Sequence, residues 1–274
     1  MEDVEDIGPR ARPAAQVEGA LATPTILAIN IGNTVTTAGL VRDQQVEPVI
    51  STETRDLEAI RKPLAELWEQ VEDPGRARVV IGSVVANRVD PLCRIITEVT
   101  KQDALVIRRD IPLPMELDVE NPDTIGVDRI CGAAAAYHRL RHACVVADIG
   151  TAMTVNVVSD GGVFLGGAIL PGPYTAVQAL AEHTAALPKI NLRRPEHHIG
   201  RNTEEAILSG VVYGTVGALR ELTERYATEM GRWPQLVVTG GGSGLVAELC
   251  EFIDSVVPHL TLMGIALAWQ KNPV

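Results

Sequence analysis

Two stretches of this chain repeat the same pattern. Residues 26–37 read ILAINIGNTVTT and residues 144–154 read CVVADIGTAMT, which puts Asn30 and Asp148 in equivalent places 118 residues apart. Each copy has an apolar, β-branched run, then a polar residue, then a glycine turn rich in hydroxyl and amide side chains. This pattern predicts a buried strand that turns tightly into a polar loop. A chain with two such copies is expected to fold into two related halves.

Glycine turns of this kind can bind phosphate groups. Gly32 and Gly150 let the backbone approach a ligand closely, and the backbone N–H groups and hydroxyls are neutral donors for its oxygens. Two such turns, facing each other, predict a nucleotide in a cleft between the halves. One copy alone would be typical of an ordinary strand and turn, so it is the repetition that favours a binding site.

The composition favours an α/β fold. Hydrophobic residues make up 46% of the 274 residues but aromatic residues only 3%. Ala, Val, Leu and Ile must therefore fill the core, as in strands that helices cover on both faces. The formal net charge of −11 argues against a nucleic-acid surface, which needs clustered Lys and Arg. The four cysteines lack metal-ligand spacing, which is typical of a reduced, cytoplasmic protein.

The predicted elements have the same order in both halves. Three short strands open each half, and alternating helices and strands follow. These strands are predicted at residues 25–31, 36–41, 46–51, 143–148, 154–159 and 163–169. We expect an N-terminal lobe at residues 24–140 and a C-terminal lobe at 141–274, after a disordered acidic and Ala/Pro-rich tail at 1–23. No apolar run of about 18 residues is present, so no membrane span is expected.

Seven motifs stand in a fixed order along the chain. They are INIGNT at 29–34, GVDR at 126–129, DIGTA at 148–152, GGAILPG at 166–172, ALP at 186–188, IGRNT at 199–203 and TGG at 239–241. Together they resemble the type III pantothenate kinases, a family of the actin-like, sugar-kinase and Hsp70 ATPase superfamily. The resemblance implies two ribonuclease H-like (actin-like ATPase) domains, duplicated, each a mixed sheet flanked by helices.

The resemblance also implies an activity and its requirements. The enzyme would be a kinase that transfers a phosphoryl group from ATP to the terminal hydroxyl of pantothenate, giving 4'-phosphopantothenate, in the first step of coenzyme A biosynthesis. Its cofactors would be ATP, Mg²⁺ and a monovalent cation, K⁺ or NH₄⁺. Its partners would be pantothenate, ATP and a second copy of the chain in a homodimer, with neither nucleic acid nor a membrane. Such a reaction needs in-line positioning, charge neutralisation and a proton acceptor.

The resemblance assigns roles to individual residues. Asp128 would be the catalytic residue that accepts the hydroxyl proton, and Arg129 would bind the pantothenate carboxylate, which a guanidinium suits. Asp148 would bind the monovalent cation through oxygen. The remaining residues expected to bind substrate are Gly126, Val127, Val119 and Thr203. Those expected to bind ATP are Asn30, Ile31, Gly32, Asn33, Thr34, Val35, Thr36, Thr37 and Thr151.

Three of these residues also have simpler interpretations. Asp128 and Arg129 would be typical of the charged first turn of a helix, where an acid stabilises the helix dipole. Thr203 fits the N-cap of a helix that begins at Glu204, and it could serve as cap and substrate contact together. The glycine loop at residues 239–244 is expected to line the adenosine end of the cleft.

Three residues depart from the family pattern: Asn30, Val119 and Asn156, the last of which stands where many relatives carry an Asp. Asn30 stands where relatives carry an Asp that organises the Mg²⁺–ATP complex. At about 4 Å, with an effective dielectric near 20, the missing charge corresponds to roughly 4 kcal/mol, or about a thousandfold in rate. Val119 stands where relatives usually have a Tyr that contacts the substrate. These departures leave a second hypothesis, a catalytically silent homologue that binds nucleotide or a pantothenate-like ligand as a regulator. A third is a kinase for another small hydroxyl compound.

Overall fold

The computed structural model describes residues 24–273 of the chain. The tail predicted at residues 1–23 lies outside the described residues. The described part folds as two five-stranded mixed sheets flanked by helices.

The elements of the first half cover residues 26–140. Its strands are β1 (Ile26–Ile31), β2 (Val35–Arg42), β3 (Gln45–Glu53), β4 (Arg78–Ser83) and β5 (Ala104–Val106). Its helices are α1 (Arg61–Trp68), α2 (Ala86–Thr100) and α3 (Val127–Leu140). Short 3₁₀ turns lie at Leu57–Ile60 and Pro122–Thr124.

The elements of the second half cover residues 144–271. Its strands are β6 (Cys144–Ile149), β7 (Ala152–Val158), β8 (Phe164–Pro171), β9 (Gln235–Thr239) and β10 (Ser255–Val256). Its helices are α4 (Pro173–His183), α5 (Thr203–Met230), α6 (Ser243–Ala247) and α7 (Leu260–Lys271).

The two sheets have the same topology. The strand order is β3-β2-β1-β4-β5 in the first and β8-β7-β6-β9-β10 in the second. In the first sheet β1 runs antiparallel to β2 and parallel to β4. In the second, β6 runs antiparallel to β7 and parallel to β9. This equivalence confirms the predicted duplication and the α/β class.

The apolar runs of the repeat form the centres of the two sheets. Ile26, Leu27 and Ile29 of β1 are fully buried, as are Val145 and Ala147 of β6. Such central strands are buried on both faces because helices cover each side of the sheet. Among the described helices, none combines the length and the apolar character needed to cross a bilayer.

Helices α3 and α7 lie together at the junction of the halves. Residues at the start of α3, such as Cys131, belong to a core with β1 and β4, whereas Ala135 belongs to a core with β6 and β7. Helix α7 follows the second sheet in sequence, yet it packs on β1, β2 and β4. At its crossing with α3, a Cβ on Gly264 would lie far inside van der Waals contact with the carbonyl oxygen of Cys131. The lobe boundaries therefore stay a prediction, with α7 reaching back to the first sheet.

Candidate active site

A cleft of about 600 Å³ lies between the two sheets, where β1 and β6 end. The glycine turns at residues 32–35 and 150–152 form part of its wall. The loop at 239–243 after β9 and the segment at 258–262 that leads into α7 complete it, together with the first turn of α3. Both copies of the sequence repeat thus contribute to one cavity.

The two glycine turns have the same local structure and touch each other. The backbone N–H of Gly32 donates to the carbonyl of Val35 at 3.1 Å, and that of Gly150 donates to the carbonyl of Ala152 at 3.1 Å. The hydroxyl of Thr151 donates to the hydroxyl of Thr34 at 3.3 Å, across the two halves. A phosphate group at this point would meet donors from both halves of the molecule.

The equivalent polar residues Asn30 and Asp148 lie at the ends of the central strands and line the cleft. The side-chain oxygen Oδ1 of Asn30 is buried and has no hydrogen-bond partner among the described residues. Burial, and then the neighbouring charge of Asp128, raise the pKa of Asp148 to about 6. A cation bound here would give Oδ1 of Asn30 a partner, and it would stabilise the ionised form of Asp148.

Asp128 lies in the first turn of α3 and faces the same cleft. The preceding Gly126 leaves room for the carboxylate, since a Cβ there would lie 2.5 Å from Oδ1 of Asp128. This oxygen accepts a hydrogen bond from the backbone N–H of Arg129 at 2.8 Å. Burial raises the pKa of Asp128, against the smaller opposing effects of that hydrogen bond and of the Arg129 charge. A carboxylate with a raised pKa is a stronger proton acceptor.

Arg129 points from α3 across the second sheet. Its Nε donates to Oδ1 of Asn156 at 2.8 Å, and its guanidinium lies over the ring of Phe164 at 5.6 Å. Asn156 is only 1% exposed. Neither partner is among the predicted site residues, although the sequence marks Asn156 as a position where many relatives carry an Asp, inside the apolar run of β7.

Most of the predicted site residues are brought together. Besides Asp128 and Arg129, the cleft is lined by Asn30, Gly32, Asn33, Thr34, Val35, Thr37, Asp148 and Thr151. The predicted loop at 239–244 also contributes, through residues 239–243. These ten residues come from two turns, two strand ends and one helix, so it is the duplicated topology that assembles them.

Three residues of the predicted ATP and substrate sets lie in the core instead. Ile31 is fully buried among the side chains of the first sheet. Thr36 is fully buried, and its hydroxyl lies 3.0 Å from the hydroxyl of Thr54. Val127 packs in the core beneath α3. Each of the three lies next in sequence to a residue that lines the cleft, but its own side chain packs in the core.

Three other predicted substrate residues do not line the cleft either. Gly126 is the N-cap of α3 and acts through the space it leaves for Asp128. Val119 packs with the apolar cluster around Phe164. Thr203 is exposed as the first residue of α5, and the cap of this helix is Asn202, whose side chain accepts from the N–H of Glu205 at 2.9 Å. The N-cap expected at Thr203 was therefore wrong by one residue, because the Asn side chain reaches the N3 amide.

The segment that leads into α7 was missed altogether. Residues 258–262 line the cleft, and His259 adopts a left-handed conformation with φ of 55° at the start of the helix. Tyr174 at the start of α4 also lines it. Neither feature has a local sequence signal, because each depends on how distant segments pack.

The model of the type III pantothenate kinase family matches residues 26–225. The chain belongs to this family. A type III pantothenate kinase of Dehalococcoides mccartyi is 40% identical over 195 residues, which cover 71% of this chain and 76% of the relative. A type III pantothenate kinase from another strain of that species is 35% identical over 258 residues, 92% of this chain and 98% of the relative.

A solved structure supports the fold assignment. A protein of Sinorhizobium meliloti described as a 2-dehydro-3-deoxygalactonokinase has a TM-score of 0.54 and 14% identity, over 92% of this chain and 100% of the other. At this identity the likeness shows the fold alone, that of the actin-like and sugar-kinase proteins.

Family membership makes the protein a kinase and implies ATP and a divalent metal ion. The hypothesis of a silent regulator finds no support in these comparisons. The residues of the cleft fit such a metal ion. The described part contains no group of three or more His, Cys, Asp or Glu that could hold a metal unaided. Mg²⁺ is commonly bound by one or two carboxylates together with phosphate oxygens and water, and Asp148, with the unpartnered oxygen of Asn30, provides that limited donor set.

Proposed function

We propose that this protein is an active pantothenate kinase that phosphorylates the terminal hydroxyl of pantothenate with ATP. The product would be 4'-phosphopantothenate, in the first step of coenzyme A biosynthesis. The observation that carries this proposal is that Asp128 and Arg129 face one cleft with both glycine turns. A proton acceptor, a carboxylate-binding cation and two phosphate-binding turns then serve a single reaction.

Each of these groups has a separate task. Asp128 takes the hydroxyl proton as the hydroxyl oxygen bonds to the γ-phosphorus and the bond to ADP breaks. Arg129 binds the pantothenate carboxylate at the other end of the acceptor, since a guanidinium recognises a carboxylate through two parallel hydrogen bonds. The turns at Gly32 and Gly150 orient the phosphates through backbone N–H groups and hydroxyls.

Asn30 and Asp148 would hold the ions of the site. A bound Mg²⁺ neutralises charge on the transferring phosphoryl group. Asp148 is also our candidate ligand for a monovalent cation, K⁺ or NH₄⁺, because such ions bind oxygen donors. The raised pKa of Asp148 supports this role, since its cause is burial next to the like charge of Asp128.

The protein would act in the cytoplasm as a homodimer, without nucleic acid or membrane. Support for a second copy comes from large apolar side chains exposed on the second half. Ile199 is 81% exposed, and Ile169 on the edge strand β8 is 63% exposed. Exposed apolar groups of this size are typical of interaction surfaces when they lie together.

The test is ATP-dependent phosphorylation of pantothenate with Mg²⁺ and K⁺. We expect turnover by the native protein and a loss of at least about a hundredfold in Asp128→Asn, which removes the proton acceptor but keeps the shape. Asp118→Asn, the same change at an exposed position outside the cleft, is the control and should leave turnover intact. If the native protein consumes ATP with another alcohol and never with pantothenate, the proposal fails.

A further inference from the structure

The guanidinium of Arg129 contacts Asn156 on one edge and Phe164 on one face. Its Nε donates to Oδ1 of Asn156 at 2.8 Å, and its central carbon lies over the ring of Phe164, 5.6 Å from the ring centre. Among the described residues, the two terminal Nη groups have no hydrogen-bond partner. Arg129 is one of the residues that line the cleft.

Asn156 is itself fixed in one orientation. It lies on β7 with almost no exposed surface, and its Nδ2 donates to the hydroxyl of Thr154 at 3.1 Å. A guanidinium offers only donors, so the atom of the amide that faces Arg129 has to be the oxygen. Both ends of the Asn156 amide are therefore committed, one to each neighbour.

This arrangement leaves Arg129 suited to one kind of ligand. The free edge of the guanidinium presents parallel N–H donors, which match the two oxygens of a carboxylate. The side-chain oxygen of Asn156 accepts from Nε, so it orients the guanidinium and leaves both Nη groups for the ligand. An acceptor molecule with an uncharged group at the same end would lack the matching partner.

We propose that Asn156 is a positioning residue that holds Arg129 for the carboxylate of the acceptor and so determines the selectivity for carboxylate-bearing acceptors. This inference rests on the proposed function, because it takes pantothenate as the acceptor. It adds to that function the residue that fixes the carboxylate end of the site.

The experiment compares pantothenate with its uncharged analogue pantothenyl alcohol as acceptors for the native protein, Asn156→Ala and Asn156→Asp. In Asn156→Ala we expect the KM for pantothenate to rise about tenfold, which corresponds to one hydrogen bond to a charged group. The kcat and the KM for ATP should change far less, and the preference for pantothenate over the alcohol should fall by a similar factor. Asn156→Asp should restore the native values largely, since its carboxylate oxygen accepts the same hydrogen bond.

Two further variants separate positioning from general loss of structure. Thr154→Val removes the hydroxyl that fixes the amide, and it should shift the same preference in the same direction by a smaller factor. Thr223→Val is the control, because it is the same change at a fully buried residue outside the cleft, with its hydroxyl donating to the carbonyl of Leu219 at 2.8 Å. It should leave both KM values and the preference unchanged.

The outcomes are distinguishable. Native turnover of pantothenate together with an unchanged preference in Asn156→Ala would overturn the role of Asn156 and leave the proposed function standing. A native protein that phosphorylates neither acceptor would overturn the proposed function. Calorimetric titration with pantothenate adds a readout without turnover, and its affinity should fall in Asn156→Ala and recover in Asn156→Asp.

Discussion

Asn30 and Asp148 occupy the same position in the two halves, yet only one of them carries a charge. The backbone treats them alike, since each ends the central strand of its sheet and precedes a glycine turn. Their chemistry differs, because Asn30 keeps a buried, unpartnered oxygen while Asp148 keeps a carboxylate with a raised pKa. The position of Asn30 could therefore carry a third carboxylate beside those of Asp128 and Asp148, which this sequence does not use.

Restoring that carboxylate should strengthen metal binding and speed the reaction. In Asn30→Asp we expect turnover to increase by between about tenfold and a thousandfold, the range for one unit charge near the reacting phosphate. The concentration of Mg²⁺ needed for half-maximal activity should fall as well. Without Mg²⁺ the variant should melt below the native protein, because a third carboxylate joins Asp128 and Asp148, and Mg²⁺ should reverse the difference.

The control for this variant is Asn33→Asp. It makes the same change on the exposed part of the turn, and it should alter the Mg²⁺ dependence much less. Equal Mg²⁺ dependence in native protein and Asn30→Asp would show that the oxygen of Asn30 does not face the metal.

Asp148 should limit the stability of the ligand-free protein above neutral pH. Its pKa of about 6 in the folded state lies above the ordinary value of roughly 4. The unfolded chain loses this proton first, so the contribution of Asp148 to the free energy of unfolding falls as pH rises from about 4 to about 6. At pH 8 without added K⁺, Asp148→Asn should be more stable than the native protein, on the order of 1 to 3 kcal/mol.

Urea unfolding of Asp148→Asn and the native protein at pH 4.5 and pH 8 measures this difference. The difference in the free energy of unfolding should disappear at pH 4.5, where the carboxyl of Asp148 in the native protein is largely protonated. Turnover should drop in the same variant, because the cation ligand is gone. A gap of equal size at both pH values would mean that charge burial is not the cause.

The crossing of α3 and α7 joins the first half, the second half and the cleft. Both helices begin at the cleft, α3 with Asp128 and α7 just after His259. Their close approach depends on Gly264, which lies against the backbone of Cys131. Packing at this crossing therefore sets the position of Asp128.

Gly264→Ala should separate these helices. We expect a loss of about 2 kcal/mol or more in the free energy of unfolding, since the added methyl meets backbone that cannot rotate away. Gly217→Ala on α5 is the matched control, because nothing lies within 4 Å of a Cβ at that position. It should gain about 0.5 to 1 kcal/mol from helix propensity. Chemical denaturation measures the free energy of unfolding of both variants. Equal changes in the two would show that α3 and α7 do not approach each other closely at Gly264.

The elements with strong periodic patterns could be predicted from the sequence, and the short ones could not. The β-branched runs of β1 and β6 and the long apolar repeat of α5 are local signals, and the structure has elements at all three places. Helix α6 and strand β10 have five and two residues, too few for any period to show. Helix α2 begins at Ala86 and has Pro91 in its interior, although a proline in a sequence commonly indicates a helix boundary.

The candidate site could be predicted where a motif carries the residue itself. Asp128, Arg129, Asp148 and the two glycine turns stand in such motifs, and all of them line one cleft. Asn156 and the segment before α7 reach the site through contacts between distant parts of the chain. No local pattern in the sequence predicts those contacts, so they can be identified only from the structure.

The exposed edge of the second sheet bears on the assembly of the whole molecule. Strand β8 is an edge strand, and it presents Leu165 and Ile169 to solvent. Edge strands of monomeric proteins are commonly protected by charges or prolines, because they otherwise pair with other chains. Strand β8 pairs with residues 116–118 at Phe164 and ends at Pro171, but it carries no charged residue, and an apolar edge of this kind is expected of a strand that a second copy of the chain covers.

A charge on this edge should convert the proposed homodimer into monomers. We expect Ile169→Lys to raise the dissociation constant by at least about tenfold, since it removes apolar contact area and buries a charge at the interface. Trp233→Lys is the control, because Trp233 is 53% exposed but lies outside β8. Light scattering over a dilution series should give a dimer for the native protein and this control, and a monomer for Ile169→Lys. A native monomer at micromolar concentration would contradict the homodimer, whereas a dimer that survives Ile169→Lys would move the interface away from β8.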